Sequence, residues 1–466
     1  MGEIWQRSAL EIADAIASRE VSSVEVVQAH LDRISSVNEK VNAVTRVLAD
    51  SALESARAAD RVVAGGGKLG PLHGVPFTVK ENIDVAGSPT TQGLPVFADL
   101  VAATDAPVVE RLRNAGAIPV GRTNLPDMGL RVHTESFLHG VTANPFDPSR
   151  TAGGSSGGEA AALATGMSPL GLGNDIGGSL RNPAYCCGIA SLKPSVHRIP
   201  DASSTSPEEP FLAGQLMSVE GPMARRIADV RVAFNAIAGA DPRDPFCISA
   251  PFDGPAFAPP LRVALVPEPP GGATAPAIAA SVRAAGAALS DAGYEVAEVT
   301  PPLVEEAIET WAQWLITELG ALKPALGQIM SPDAVRFLDY AEAVIGTVDF
   351  GGHMQLLMKR HAIARAWSMF MAEYPLIVGP VWTQPPFAAG WDVESAENAG
   401  ATLELIRFVT PMNLLGLPAA CVPTGLADGL PTGVQVVGQR FREDLCLAGA
   451  EAIEKRLGII TPIDPR

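Results

Sequence analysis

From residue 75 onward, short apolar runs alternate with helix-length segments, and this alternation limits the fold more than any other feature. Val75–Val79 is an apolar run with Pro76 at its start. Pro107–Ala115 reads as a helix with proline in its first turn, where the missing N–H costs nothing. Ala117–Val120 is a second strand, Ser156–Thr165 a helix of small residues, and Leu170–Leu172 opens a buried strand. Continuous apolar runs, rather than strict apolar–polar alternation, mark strands covered on both faces. The expected class is α/β, with a central, mostly parallel mixed sheet between helix layers.

The flanking regions fit that class. The first 65 residues read as helices. Ser8-Ala9-Leu10-Glu11 and Ser22-Ser23-Val24-Glu25 both match the capping box that opens a helix. Ser51–Val63 is Ala-rich, and Gly65-Gly66-Gly67 stops it. Further on, Leu261–Val266 and Tyr294–Val299 read as strands around a Pro276–Ala292 helix. Residues 201–215 are rich in Ser, Pro and Glu and read as a surface loop; residues 251–275 are rich in Pro and Gly. Residues 303–374 read as helical, with Trp311, Trp314, Met354, Met358, Trp367, Met369 and Met371. Those side chains read either as core packing or as the lining of an apolar substrate pocket.

Charge and cysteine usage exclude several classes. The chain carries 51 acidic against 34 basic residues, a net charge of −17. Phosphate backbones and anionic membranes both select basic patches, so direct nucleic-acid or membrane-surface binding is not expected. No apolar stretch approaches the roughly 18 residues of a spanning helix. Residues Met1–Arg7 show no basic region leading into an apolar core, so no secretory signal is expected and the chain reads as cytoplasmic. The five cysteines, Cys186, Cys187, Cys247, Cys421 and Cys446, contain no C-x-x-C pair, and no His cluster has zinc spacing. Reduced, mostly buried thiols are expected.

Two segments carry the chemistry. Gly153-Gly154-Ser155-Ser156-Gly157-Gly158 and Gly173-Asn174-Asp175-Ile176-Gly177-Gly178-Ser179-Leu180-Arg181 are dense in glycine. Glycine lets the backbone turn sharply and leaves N–H groups uncovered. Such groups can hold an oxyanion, and a serine beside them is a candidate nucleophile. A serine needs a base. Of seven lysines, most sit in helices or polar loops, as surface lysines do; Lys80 instead ends the apolar run Val75–Val79. Burial there would bring its pKa from about 10.4 down towards 7 or 8. The alternative is a surface turn in which Lys80 pairs with Glu81 or Asp84.

In combination these segments resemble the amidase signature family. The matching text is Gly74–Asn82 (GVPFTVKEN), Gly153–Gly158 (GGSSGG) and Asp175–Pro183 (DIGGSLRNP). Gly121-Arg122-Thr123-Asn124, Leu192-Lys193-Pro194, Gly221-Pro222-Met223-Ala224-Arg225 and Pro411–Pro418 add to it. The resemblance covers almost the whole chain and is weakest between about 265 and 400. It implies the amidase-signature fold in one domain: N-terminal helices over 1–65, a signature core over 66–235, a variable substrate-covering region over 250–400, and a C-terminal core segment over 405–466.

The resemblance also implies a Ser–cis-Ser–Lys triad. Ser179 would be the nucleophile, Ser155 the relay after a cis Gly154–Ser155 bond, and Lys80 the base. The N–H groups of Ile176, Gly177, Gly178 and Ser179 would form the oxyanion hole. Gly154, Ser156, Asp175 and Arg181 would support the loops, and Met128, Gly129 and residues 196–215 would wall the pocket. Three places depart from the family pattern: Asn174, where many relatives carry Ser or Thr; Ser195–Pro200, away from the usual Thr-x-Gly-Arg; and Cys186-Cys187, in place of a single cysteine.

The implied activity is C–N bond hydrolysis without metal or cofactor, by a monomer or homodimer acting on a small-molecule amide. Aryl or bulky apolar amides are expected from the 303–391 segment. The same chemistry serves N-aryl carbamates and esters. The family also includes the glutaminase-type component of tRNA-dependent amidotransferases, which works beside partner subunits. Two rivals are weaker. A Ser-His-Asp enzyme would use His353 or His361, but its nucleophile elbow needs a strand where Asp147–Ala152 reads as loop. A nucleotide site would need a phosphate-loop motif that does not occur.

Overall fold

Ser8 and Ser22 open their helices as the sequence proposes: each hydroxyl accepts the N–H of the glutamate three residues on, whose carboxylate reaches back. The computed structural model describes residues 3–206, 209–257 and 259–466. The N-terminal helices are Ala9–Ala17, Ser23–Val41 and Ala49–Ala64. Between the last two lies β1 (Val44–Val47), an edge strand absent from the all-helical reading of this region. Only its first residue is buried, so it carries no periodicity.

The remaining strands are β2 (Pro76–Lys80), β3 (Ile118–Thr123), β4 (Glu135–Ser136), β5 (Gly140–Val141), β6 (Leu170–Asp175), β7 (Ala190–Lys193) and β8 (Val219–Ala224). β9 (Arg262–Leu265), β10 (Glu295–Glu298), β11 (Leu376–Pro380), β12 (Ala419–Ala427) and β13 (Leu430–Gly438) follow. β4 and β5 form a small separate ladder; the other strands make one sheet in the order β1-β3-β2-β6-β8-β7-β12-β13-β11-β9-β10.

The α/β class holds, with a large mixed sheet between helices. Parallel pairing occupies two runs, β3-β2-β6 and β11-β9-β10. The β6-β8-β7-β12-β13-β11 centre and the β1 edge pair antiparallel. At β12–β13 the cause is local: Asp428 and Gly429 both have positive φ, the two-residue turn that reverses a strand.

Successive strand residues enter different cores, as a period of two requires. Ala419 and Cys421 join one apolar cluster, Ala420 and Val422 the other. The first core takes residues from helices Ser23–Val41, Gly157–Ala164, Val304–Leu326 and Phe350–Glu373. The second takes them from Pro107–Asn114, Ile227–Ile237, Pro276–Asp291 and Glu443–Leu457. The five cysteines are free and buried.

The 303–374 reading resolves into three helices: Val304–Leu326, Pro332–Ile345 and Phe350–Glu373. The 201–215 loop reading holds only in part, because Leu212–Met217 is helical; Pro207 and Glu208 of that stretch, and Ala258 of the Pro/Gly-rich stretch, lie outside the described residues. Among the described residues no helix is long and apolar enough to cross a membrane.

Candidate active site

β2 is buried along its whole length, and its last residue is Lys80. The side chain has no solvent exposure. Its Nζ lies 2.7 Å from Ser155 Oγ and 2.6 Å from Asn174 Oδ1. Burial pulls the Lys80 ammonium down to about 7, against the opposing pull of Glu220, Asp175 and Glu159. The surface-turn alternative fails because both proposed partners are engaged elsewhere. Glu81 takes Thr45, Thr91 and His139; Asp84 takes Thr90 and the 203–205 turn.

Ser155 lies in the turn before helix Gly157–Ala164, and its bond to Gly154 is cis. Thr134 clamps this turn, donating to the Gly153 carbonyl at 2.8 Å and accepting the Gly157 N–H at 3.1 Å. The Ser156 N–H donates to the Ser179 carbonyl at 3.2 Å, joining the two glycine-dense loops.

The 176–179 loop follows β6, at the carboxyl end of a strand, where open α/β sheets place their sites. All four of its carbonyls are held. Trp311 Nε1 donates to Ile176 O at 3.0 Å, the Asn182 amide to Gly177 O at 3.0 Å, the Asn182 backbone N–H to Gly178 O at 2.6 Å, and Ser156 to Ser179 O. With the carbonyls fixed, the N–H groups have fixed directions. Those of Ile176, Gly177 and Ser179 have no protein acceptor among the described residues. Gly178 departs from the expected set of four: its N–H donates to Asp175 Oδ1 at 2.7 Å and is unavailable for an oxyanion. Gly178 has φ +96°, and a Cβ there would meet Val409 and Asn182 within 2.5 Å, so only glycine fits.

Asp175 and Arg181 do more than flank the loop. Arg181 grips both Asp175 oxygens at 3.1 Å and also donates to Val409 O, Gln435 Oε1 and Asn413 Oδ1. Asn413 returns an N–H to Asp175 Oδ1 at 2.8 Å. Burial raises the Asp175 carboxyl, but Arg181 and these donors outweigh it and hold it at about 2. The pair is thus an ionised, fully hydrogen-bonded unit under the nucleophile loop.

Ser155 and Ser179 share the wall of a cavity of about 570 Å³. Met128 and Gly129 line it, and so do Trp311, Leu315 and Phe337. Of the Trp and Met residues of the 303–374 stretch, Trp311 lines the cavity and Trp314, Trp367 and Met371 pack in the core, whereas Met354, Met358 and Met369 of helix Phe350–Glu373 face solvent and fit neither reading. Lys193 ends β7 fully buried and donates to the Pro194 carbonyl at 2.8 Å.

The chain matches the amidase family over residues 25–447. It belongs to the amidase family. An indoleacetamide hydrolase of Bradyrhizobium diazoefficiens is 43% identical across 98% of this chain and 88% of its own length. A glutamyl-tRNA(Gln) amidotransferase component from Salinispora tropica is more distant, at 32% over 99% of each chain. The solved structure of a bacterial aryl acylamidase of the amidase signature family superposes with a TM-score of 0.83, at 25% identity over 97% of both chains. This amidase-family chain is accordingly an enzyme that hydrolyses the C–N bond of amides.

Three parts of the site, Asn182, Asn413 and Gln435, are not marked as such by the sequence, and Trp311 is marked there only as core or pocket wall, not as a donor to the nucleophile loop. Asn182 and Asn413 lie inside stretches that carry the family resemblance, and that is the signal available for them. Trp311 lies where the resemblance is weakest, and Gln435 is brought to Arg181 only by tertiary pairing.

Proposed function

We propose that this amidase-family enzyme cleaves aryl-bearing amides through an acyl-enzyme on Ser179. Neutral Lys80 accepts a proton from Ser155, which accepts that of Ser179. Ser179 Oγ attacks the carbonyl carbon, and the oxyanion falls to the N–H groups of Ile176, Gly177 and Ser179. The same chain run backwards protonates the leaving nitrogen as the C–N bond breaks. Water, activated by the same relay, then hydrolyses the ester. The observation that carries this reading is the 2.7 Å contact between Lys80 Nζ and Ser155 Oγ, at the wall of a cavity that Ser179 shares.

An aryl group is favoured because Trp311, Phe211 and Phe337 line the cavity, whose size suits a drug-sized ligand. The names of two similar proteins, an indoleacetamide hydrolase and an aryl acylamidase, point the same way. The test is product release from indole-3-acetamide, an anilide and a matched N-aryl carbamate, with Ser179→Ala as the blank. Release from an amide, lost in the variant, supports the reading, and the amide-to-carbamate ratio sets the preference. Faster turnover of acetamide than of the aryl amides contradicts the substrate class. Equal release by Ser179→Ala contradicts the mechanism.

A further inference from the structure

Lys80 has a second partner that the proton relay does not use. Asn174 Oδ1 lies 2.6 Å from its Nζ. Asn174 and Glu220 face each other directly across the antiparallel β6–β8 ladder, close enough for the Asn174 amide to ease the Glu220 carboxyl towards its ionised form. Lys80, on the other side of β6, completes a row of three side chains on adjacent strands. Glu220 is buried, and its Oε2 has no hydrogen-bond partner among the described residues. A buried carboxyl with one vacant oxygen is costly and calls for a reason.

The reason lies in the two ends of the Asn174 amide. A neutral amine offers two N–H donors and one lone pair, and only the lone pair can take the Ser155 proton. If Asn174 presents its oxygen, Lys80 donates to it and the lone pair remains for Ser155. If Asn174 presents its NH₂, that group occupies the lone pair and disables the base. The amide orientation is decided by what its other end meets. We propose that Glu220 is a positioning residue for the lysine: its carboxyl takes the Asn174 N–H, turns the Asn174 oxygen onto Lys80, and leaves the lone pair facing Ser155. This rests on Lys80 being the base.

The electrostatics agree. Burial holds the Glu220 carboxyl well above the usual range, with Asp201 and Asp84 adding to the shift and Lys80 and Asn174 opposing it. A neutral carboxyl still accepts the Asn174 N–H through its C=O oxygen. The carboxyls facing Lys80 are Glu220 on β8, Asp175 at the end of β6 and Glu159 on the helix after Ser155. An ionised Glu220 would hold the amine's proton, and burial works against that by disfavouring the charge.

The test needs no knowledge of the natural substrate. A fluorophosphonate probe phosphonylates Ser179: the Oγ–P bond forms, the P–F bond breaks, fluoride leaves, and the proton passes to Lys80. Labelling, followed by intact mass between pH 6 and 9.5, gives a maximal rate and a half-saturating concentration. Glu220→Leu is expected to lower the maximal rate at least about tenfold with half-saturation little changed. Glu220→Gln, which keeps a carbonyl acceptor, is expected to recover most of it. Glu220→Leu labelling within twofold of wild type, or Glu220→Gln as slow as Glu220→Leu, overturns the proposal. If Glu220→Leu does not fold, Asn174→Asp decides: a carboxylate against Nζ should move the rising limb up by about one pH unit or more, and an unmoved limb overturns it. Lys80→Ala separates the two readings. Wild-type labelling in that variant sinks the base itself; slow labelling there with fast Glu220→Leu sinks only the positioning role.

Discussion

The ends of β2 and β7 each carry a lysine with no solvent exposure, and in each burial lowers the ammonium to about 7. They differ in what the nitrogen meets. Lys80 meets a hydroxyl, Ser155 Oγ, and an amide oxygen, next to an open cavity. Lys193 meets the carbonyl of its own neighbour, Pro194, and sits behind the Asp175–Arg181 pair with Glu443 and Cys446 nearby. Arg181 helps to depress Lys193, whereas carboxyls alone act on Lys80 beside burial. Desolvation therefore brings both amines within reach of the neutral form near pH 7, and only one faces a transferable proton. A perturbed lysine marks a functional site when a transferable proton faces it, and not by its pKa alone.

The largest effect that could break this comparison is loss of turnover. Ser179→Ala is expected to abolish aryl-amide hydrolysis, and Lys80→Met to lower kcat/KM by roughly 10³-fold or more. Lys193→Met, with equal loss of charge from an equally buried site, is expected to stay within about threefold. Similar losses from both lysine variants would erase the distinction.

Next in size is the pair that lies between the two lysines. Arg181→Met leaves Asp175 buried and unpaired, at an expected cost of about 3–5 kcal/mol, measured as a fall in the urea midpoint. A cost near zero would mean that Asp175 is not ionised in the folded protein.

A smaller effect concerns the cavity side. Trp311→Phe removes the donor to Ile176 O and frees one end of the nucleophile loop. A lost hydrogen bond of about 1 kcal/mol corresponds to roughly a fivefold fall in kcat, with little change in the urea midpoint. An unchanged kcat would show that the loop is held without it.

The last expected effect is on the pH dependence of stability. A lysine at about 7 when folded, against about 10.4 unfolded, binds fewer protons in the folded state across that window. Stability from this group therefore rises with pH between about 7 and 10 and is level below. Lys80 contributes a similar rise, so Lys193→Met is expected to remove about half of it, read from urea midpoints at pH 7 and pH 9. A wild-type slope that survives the substitution would place Lys193 in a less desolvated site.

The same pair of lysines shows what is legible in the sequence. Lys80 ends an unbroken apolar run, so its burial can be read locally, and Ser155 and Ser179 sit in glycine-dense text that has few other uses. Lys193 ends Ala190-Ser191-Leu192-Lys193, a short mixed run before a proline that carries no local sign of burial. It is covered by tertiary structure: β7 lies between β8 and β12, and Glu443 comes from the C-terminal helix. The α/β class follows from local runs, whereas the antiparallel centre depends on which distant strands meet. The Asp428-Gly429 turn is a local signal for one of those pairs. The methionines at 354, 358 and 369 mislead because apolar composition says nothing about which face of a helix turns inward. Which N–H groups of the nucleophile loop lack a protein acceptor among the described residues is not legible in sequence, since the capture of Gly178 by Asp175 is a matter of side-chain geometry.

The most direct test is the pH dependence of kcat/KM on an aryl amide, from about pH 5.5 to 9.5, in wild type, Lys80→Met and Lys193→Met. The base must be neutral to accept a proton, so wild-type activity should rise with pH through about 7 and then level. Lys193→Met should keep the same rising limb, and Lys80→Met should have no measurable activity at any pH. A wild-type profile flat from pH 6 to 9, or a limb that vanishes with Lys193 while Lys80→Met still turns over, would contradict the account.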